Sequence, residues 1–401
     1  MTENSPEFLP VPGVRLGTTC AGIKQPDRRD LVVMELAADT RTAAVFTQNA
    51  FCAAPVIMAR QHLAGVMPRY LLINTGYANA GTGERGLEDA RQCCEALASL
   101  TGCRVEEVMP FSTGVIAEPL PVDTISRALP DAVEQLQATG WSDAAWGIMT
   151  TDTRPKLVSR TIDIDGSQIT ITGMAKGAGM IRPDMATMLA FIATDAQVKP
   201  GLLQDCLHTA VDQSFNRISI DGDTSTNDAC VLCATGQSGV EVSASGAAND
   251  AFRQGLTEVC TELAKGIVRD GEGATKLINV QVNGGHNTAE CLAVAYTIAH
   301  SPLVKTAFFA ADPNWGRILA AVGRAGIPDL DITAINIFLD EVCIVHKGER
   351  DTAYTEAQGQ TVMDRNEITV LIELGRGADN ANVWTCDFSY DYVRINAEYR
   401  T

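Results

Sequence analysis

Hydrophobic and polar residues alternate along several parts of the chain in a way that predicts β-strands. Residues 31–45 mix apolar and polar positions at strand-like spacing, and residues 70–74 (YLLIN) form a short apolar run before a glycine-containing stretch. Residues 158–172 alternate on both sides of Asp165-Gly166, a dipeptide typical of hairpin turns. Further strands are predicted at 277–284 (LINVQVNG), at 335–339 and near residue 370 (ITVLIEL).

Other segments have the spacing of amphipathic helices. Within residues 83–102, Leu87, Ala90, Cys94 and Leu97 recur at helical intervals, and Gly102 is a stop signal. Similar stripes predict helices at 200–215 and 249–268, and Ser301-Pro302 predicts the start of another. The apolar run in residues 185–195 (MATMLAFIATD) is short and favours a buried strand, with Thr187 near its start. Strands and helices arranged in layers are therefore expected.

Composition narrows the class of protein. A chain of 401 residues is expected to form two or three lobes around sizeable cores, and 46% apolar residues with 34 glycines suit an α/β or α+β protein. The formal net charge of -18 disfavours nucleic acid and membrane surfaces as partners, so small molecules are expected. The first residues resemble no signal peptide and no run of about 18 apolar residues occurs, so a cytoplasmic location is expected.

The twelve cysteines do not predict a metal or disulfide framework. They are scattered through apolar, periodic segments, and we expect them to be reduced and mostly buried. Cys230 and Cys233 have the spacing of a metal motif, but no second pair follows at zinc spacing. The glycine pairs in KGAG and DGEG complete neither a G-x-G-x-x-G nor a P-loop pattern, so a nucleotide loop is disfavoured.

A threonine can act as a nucleophile if it becomes the first residue of a chain. Hydroxyl groups hold their proton tightly at neutral pH, so enzymes that use them supply a base. The α-amine freed by cleavage before a threonine has an unperturbed pKa near ~8 and lies within reach of that residue's own Oγ. Taken alone, however, Thr187 has the pattern of a packed strand position, and spacing does not single it out.

A family resemblance does single it out. Residues 176–196 (KGAGMIRPDMATMLAFIATDA) closely resemble the signature of the ornithine acetyltransferases, the bifunctional ArgJ family, which cut themselves before a threonine. Other matching segments span nearly the whole chain: STGVIAE at 112–118, TTDTRPK at 150–156, SFNRISIDGDTSTND at 214–228, VRDGEGATK at 268–276, ADPNWGRI at 311–318 and the terminal INAEYRT.

The resemblance implies an α+β fold, a layered α/β/β/α sandwich of the self-processing ArgJ/DmpA-like type. It implies cleavage between Ala186 and Thr187 into an α chain (1–186) and a β chain (187–401), assembled as α2β2. The implied enzyme is a glutamate N-acetyltransferase of arginine biosynthesis, which moves the acetyl group of N2-acetylornithine to glutamate through acetyl-Thr187. It needs no metal or organic cofactor. Whether acetyl-CoA also serves as donor stays open.

The resemblance also assigns roles to individual residues. Thr187 is the nucleophile, and Thr113 and Gly114 match the oxyanion site, where a backbone or hydroxyl donor would meet the developing negative charge. The positions that match substrate contacts are Thr150, Lys176, Thr187, Glu272, Asn396 and Thr401. An acidic residue and several donors suit an amino acid, which carries an ammonium and a carboxylate.

Two rival functions remain at this point. The first is an amidase or aminopeptidase with an N-terminal threonine, in which water replaces glutamate as the acceptor. The second is a non-catalytic amino-acid-binding protein that keeps the same fold without cutting itself. Cutting of the chain and the fate of the acetyl group distinguish these two functions from the acetyltransferase and from each other.

Overall fold

A computed structural model describes residues 8–182 and 188–398 of the chain. These residues form two compact units. Unit 1 comprises residues 8–177, 188–216 and 224–267, and unit 2 comprises residues 178–182, 217–223 and 268–398. The units do not coincide with the predicted α and β chains, which would be the products of a chemical cut. The prediction of those two chains therefore stays a prediction.

The helices and strands are numbered in chain order. The strands are β1 (Val14–Thr19), β2 (Leu31–Leu36), β3 (Arg41–Phe46), β4 (Tyr70–Tyr77), β5 (Val108–Val115), β6 (Lys156–Ile164), β7 (Ser167–Lys176), β8 (Leu189–Thr194), β9 (Ile218–Ser219), β10 (Ala229–Ala234), β11 (Leu277–Gly285), β12 (Asn336–Leu339), β13 (Val342–His346), β14 (Glu349–Arg350), β15 (Glu367–Glu373) and β16 (Asp379–Cys386). The helices are α1 (Ala54–Gly65), α2 (Gly83–Thr101), α3 (Val122–Glu134), α4 (Trp141–Gly147), α5 (Pro200–Gln213), α6 (Ala247–Arg269), α7 (Thr288–Ala299), α8 (Pro302–Phe309), α9 (Trp315–Gly323), α10 (Glu356–Met363) and α11 (Tyr390–Ala397).

Unit 1 has two sheets that pack face to face. The described strands of the first sheet run in the order β1-β2-β4-β5, and those of the second run β3-β10-β8-β7-β6. Phe111 of the first sheet meets Phe191 of the second edge to face at 5.1 Å, inside a shared apolar core. Helices α2 and α3 share a second core with the outer face of the first sheet.

Helices also cover the outer face of the second sheet. A Cβ added at Gly173 on β7 would lie 3.0 Å from Leu263 of α6, and α5 packs against β3 and β10. Since both sheets are covered on both faces, their central strands β4 and β8 are almost wholly buried. The predicted α/β/β/α sandwich is therefore confirmed in unit 1.

The local patterns explain where several elements begin and end. The hairpin of β6 and β7 turns at Asp165 and Gly166, whose φ angles of 53° and 82° both lie in the left-handed region that a tight hairpin turn requires. Helix α2 ends at Gly102, whose φ of 73° is the left-handed conformation of a helix C-terminus. Helix α8 begins after Ser301, whose side chain accepts a hydrogen bond from Val304 N.

Unit 2 is built on one larger sheet. Its described strands run in the order β14-β13-β12-β15-β11-β16-β9. One face is buried by an apolar core to which α7, α9 and α10 contribute, with alternate residues of β15 such as Ile368, Val370 and Ile372 pointing into it. The strands predicted from LINVQVNG, from 335–339 and from ITVLIEL are confirmed as β11, β12 and β15.

The cysteine pair lies inside a strand. Cys230 and Cys233 are buried on β10, and burial raises the pKa of Cys233 to about 12 and that of Cys230 well above its ordinary value. Metal ligation and redox chemistry need a thiolate, which this environment disfavours.

Among the described residues, we find no helix with both the length and the apolar character needed to span a bilayer.

Candidate active site

The predicted oxyanion residues lie at the end of β5, beside the end of β4. The two strands are parallel, and their register pairs Gly76 with Gly114. Gly114 has a φ of +134°, and a Cβ at this position would lie 2.3 Å from both the carbonyl carbon and the oxygen of Gly76. Only glycine fits here, because any side chain would collide with fixed backbone in a conformation that L-residues rarely adopt. Thr113 and Gly114 thus belong to the last part of β5.

The side chain of Thr113 is paired with a buried ammonium group. Lys176, the last residue of β7, donates a hydrogen bond from Nζ to Thr113 Oγ1 at 3.1 Å, and both side chains are buried. Since the hydroxyl oxygen accepts this bond, its own proton can be donated elsewhere. A hydroxyl donor next to a positive charge is a suitable partner for an oxygen that becomes negative.

Asp152 connects Thr150 to the peptide between Lys176 and Gly177 and to a second lysine, Lys156. Its carboxylate accepts hydrogen bonds from Thr150 N at 2.9 Å and Gly177 N at 2.7 Å, and from the Lys156 ammonium. Burial acts to raise the pKa of the Asp152 carboxyl, but the charges of Lys156 and Lys176, with the bond from Gly177, outweigh burial and lower it. Asp152 is therefore ionised, and its carboxylate is stabilised by both lysines.

Asp228 is a second buried carboxyl near Lys176, and its pKa is shifted in the opposite direction to that of Asp152. Burial raises the pKa of Asp228 well above its ordinary range, and Lys176 opposes this only in part. The Lys176 ammonium lies beside the Thr113 hydroxyl, and a positive charge at this place favours an anionic intermediate.

Unit 2 brings together two other predicted site residues. Asn396 of α11 donates a hydrogen bond from Nδ2 to Glu272 Oε2 at 2.7 Å, and the Glu272 side chain is buried. Gly179 lies against this carboxylate, because a Cβ there would be 2.5 Å from the carboxyl carbon of Glu272. Glu272 N also donates to Ala178 O at 2.8 Å. Gly179, the second glycine of KGAG, therefore leaves room for the side-chain carboxylate of Glu272 and not for a bound phosphate.

Residues 178–182 are held firmly within unit 2. Asp221 accepts hydrogen bonds from Met180 N at 2.6 Å and Ile181 N at 2.8 Å. Ser219 Oγ donates to Ile181 O at 3.1 Å and is bonded to His300 Nε2 at 2.7 Å. Burial lowers the pKa of His300 to about 4, so the imidazole is neutral at pH 7. In the tautomer protonated at Nε2, it can donate a hydrogen bond to Ser219 Oγ. The segment immediately before residue 183 is therefore fixed in position.

The structure describes most, but not all, of the predicted site residues. Unit 1 brings together Thr113, Gly114 and Lys176 and joins Thr150 to them through Asp152. Unit 2 pairs Glu272 with Asn396. The predicted cleavage residues Ala186 and Thr187 and the predicted substrate contact Thr401 lie outside the described residues.

Sequence reasoning missed several groups that support these residues. Asp152 and Lys156 lie in TTDTRPK, Gly179 in KGAG and Asn227 in TSTND, so each falls in a segment that the resemblance had already marked. Their burial was the missing information, since Asp152, Lys156 and Asn227 are all less than a tenth exposed. Charged and amide side chains are usually exposed, and the hydrogen bonds to Gly177, Ala78 and Ser112, distant in sequence, help to explain why these are not.

Comparison with known proteins gives a consistent result. A family model described as "ArgJ family" matches residues 15–401. The "Arginine biosynthesis bifunctional protein ArgJ" of Pseudomonas syringae pv. tomato is 58% identical over 398 residues, which cover 99% of this chain and 98% of that protein. The protein of the same name from Methylococcus capsulatus is 60% identical over 395 residues, covering 98% of this chain and 97% of its own length.

A crystal structure is also similar over part of the chain. The arginine biosynthesis bifunctional protein argJ from Bacillus halodurans is 39% identical, with a TM-score of 0.49. The match covers 51% of this chain and 95% of the crystallised chain.

Proposed function

Because the chain belongs to the ArgJ family, we propose that it moves the acetyl group of N2-acetylornithine to glutamate through an acetyl ester on Thr187. Membership of this family and an acyltransferase role in arginine biosynthesis, both predicted from the sequence, are confirmed. The observation that supports the finer proposal is the Thr113–Lys176 pair beside Gly114, a set of buried donors that includes an ammonium group. Such a set suits the oxyanion of acyl transfer.

The nucleophile would be produced by the chain itself. Thr187 Oγ attacks the carbonyl carbon of Ala186, the peptide C–N bond breaks, and the acyl group is left as an ester on Thr187. Water then hydrolyses the ester, leaving residues 1–186 and 187–401 with a free α-amine on Thr187. An α-amine has an ordinary pKa of about 8, so a useful fraction is neutral at pH 7 and accepts the Oγ proton.

Acetyl transfer would then proceed in two steps, through an acetyl ester on Thr187. Thr187 Oγ attacks the acetyl carbonyl of N2-acetylornithine, its proton passes through the α-amine to the departing nitrogen, and ornithine leaves. The amine of glutamate attacks the resulting ester, and the proton returns to Thr187 Oγ as N-acetylglutamate leaves. In both steps the oxyanion receives hydrogen bonds from the Thr113 hydroxyl and Gly114 N, while Lys176 supplies positive charge at Thr113.

The remaining predicted residues would recognise the amino acids. Glu272, held by Asn396, is a buried carboxylate suited to an ammonium group, because a charge in a low-dielectric setting attracts its partner strongly. Thr150, Lys176 and Thr401 would supply donors for a carboxylate. No metal or organic cofactor enters this scheme, since the ester carries the group between substrates. An α2β2 assembly, a cytoplasmic location and acetyl-CoA as a second donor belong to the proposal as family expectations.

The fate of the acetyl group tests the function. Purified protein supplied with N2-acetylornithine is expected to release ornithine rapidly only when glutamate is present, and to form one N-acetylglutamate for each ornithine. Ornithine, N-acetylglutamate and free acetate are measured together by chromatography. Release of acetate at the same rate without glutamate would make the protein an amidase instead, and no release of ornithine at all would favour a binding protein.

A further inference from the structure

A buried asparagine bridges the ends of β4 and β5, the strand that carries the oxyanion residues. Asn227 lies just before β10, and its Nδ2 donates hydrogen bonds to Ala78 O at 2.6 Å and to Ser112 O at 2.9 Å. Its Oδ1 accepts a hydrogen bond from Thr226 Oγ1 at 2.6 Å. Every polar atom of this side-chain amide is therefore used, and the residue is only 6% exposed.

One of the two carbonyls that accept a hydrogen bond from Asn227 belongs to the peptide that leads into the oxyanion site. Ser112 O and Thr113 N are parts of the same peptide group, which is planar. Fixing the direction of this carbonyl therefore fixes the plane of the peptide and the position of the Thr113 Cα. The Thr113 hydroxyl and the following Gly114 N–H depend on that orientation. Asn227 controls it from the segment just before β10, 115 residues distant in sequence.

The same peptide is held by a second buried amide. Ser112 Oγ donates to Asn74 Oδ1 at 2.6 Å, and Asn74 Nδ2 donates to Tyr77 O at 3.1 Å. Asn74 and Ser112 are paired neighbours in the β4–β5 register, and both are buried. The network thus ties the end of β4 to the end of β5 on both sides of Gly76 and Gly114. Strand pairing alone would not need these side chains, since the ladder already satisfies the backbone.

We propose that Asn227 is a positioning residue of the oxyanion site, which holds the Ser112–Thr113 peptide so that Thr113 and Gly114 aim their donors at the developing oxyanion. The inference rests on the proposed function, because it takes Thr113 and Gly114 as the oxyanion donors. Asn227 acts on catalysis through Thr113, with no contact to substrate. The cutting of the chain and the transfer of acetyl both pass through a tetrahedral oxyanion, so Asn227 serves both reactions.

Two substitutions remove the donor in different ways. Asn227→Asp keeps the shape but places a second oxygen against the carbonyls of Ala78 and Ser112, and Asn227→Ala leaves both carbonyls without this partner. We expect kcat to fall by about 10- to 100-fold, since small misplacements of catalytic groups are costly. KM for glutamate and N2-acetylornithine is expected to stay within about twofold. Chain cutting is expected to slow by a similar factor.

A matched control separates positioning from general stability. Asn249 is also buried in unit 1 and donates from Nδ2 to a backbone carbonyl, that of Ser243, at 3.0 Å. Asn249→Ala is expected to lower the unfolding temperature as Asn227→Ala does, yet to keep kcat within about twofold. A merely structural Asn227 would behave like Asn249, with kcat per folded molecule unchanged, and this result would overturn the proposal.

A double substitution gives the sharpest readout. If Asn227 acts through Thr113 and Gly114, adding Asn227→Ala to Thr113→Ala is expected to lower kcat by a smaller factor than Asn227→Ala does in the wild type, because one of the two donors that it positions is already gone. Multiplied effects of the two substitutions would contradict the proposal. A wild type that cuts itself but transfers no acetyl would overturn the proposed function, and cutting rates would then decide the role of Asn227. A wild type that does neither would overturn both.

Discussion

Replacing Thr187 with alanine is expected to leave a single band at 42.7 kDa on a denaturing gel and to abolish acetyl transfer. Alanine has no hydroxyl, so it neither attacks the carbonyl of Ala186 nor accepts an acetyl group. Losing the nucleophile removes the whole covalent route, so transfer is expected to fall by several orders of magnitude, to the background of the assay. The gel and the N-acetylglutamate assay measure the two effects separately.

Two further variants make the loss interpretable. Thr187→Ser keeps a hydroxyl and is expected to retain both cutting and transfer at reduced rates. Thr361→Ala removes a threonine hydroxyl from an exposed position on α10 and is expected to behave like the wild type in both assays. Transfer that survives in Thr187→Ala at the wild-type rate would show that another residue is the nucleophile.

Adding one methyl group at Gly114 is expected to have the second largest effect. The Cβ of Gly114→Ala would lie 2.3 Å from the backbone of Gly76, and the φ of +134° is strained for alanine. The end of β5 has to shift, and a donor displaced from the oxyanion is worth about 10²- to 10³-fold in kcat. We expect kcat for transfer to fall by at least about 100-fold, with chain cutting slowed as well. Steady-state kinetics and the rate at which the 42.7 kDa band disappears measure these losses.

Gly201→Ala is the matched control for this substitution. Gly201 lies on α5, and no atom of the described residues lies within 4 Å of an added Cβ, so its alanine variant is expected to be stable and fully active. Circular dichroism and the unfolding temperature show whether Gly114→Ala still folds. A folded Gly114→Ala enzyme with wild-type kcat would contradict the assignment of the oxyanion site to the end of β5.

Local patterns in the sequence predicted the framework well because the signals are local. The alternation around Asp165-Gly166 is the hairpin of β6 and β7, and the stripe ending at Gly102 is α2. A turn dipeptide or an apolar period of 3.6 is contained in about 15 residues, so no knowledge of distant partners is required.

The supporting residues of the site could not be predicted in the same way. Asn227 is one amide in a polar run, and its role depends on carbonyls at Ala78 and Ser112, which are more than 100 residues away in sequence. Asp152 has no role predicted from the sequence, yet it is buried and interacts with two lysines. Family resemblance found Thr113, Lys176 and their surrounding segments, while three-dimensional contacts were needed to show how those segments support one another.

The central claim is that Thr187, as the first residue of a cut chain, carries the acetyl group. The most direct test is to incubate the protein with N2-acetylornithine alone, quench it in acid and measure the masses of its chains. We predict a fragment beginning Thr-Met-Leu-Ala-Phe that is heavier by one acetyl group, removable by hydroxylamine as an ester would be, and lost when glutamate is added before the quench. An uncut chain, or an acetyl group mapped to any other residue, would contradict the account.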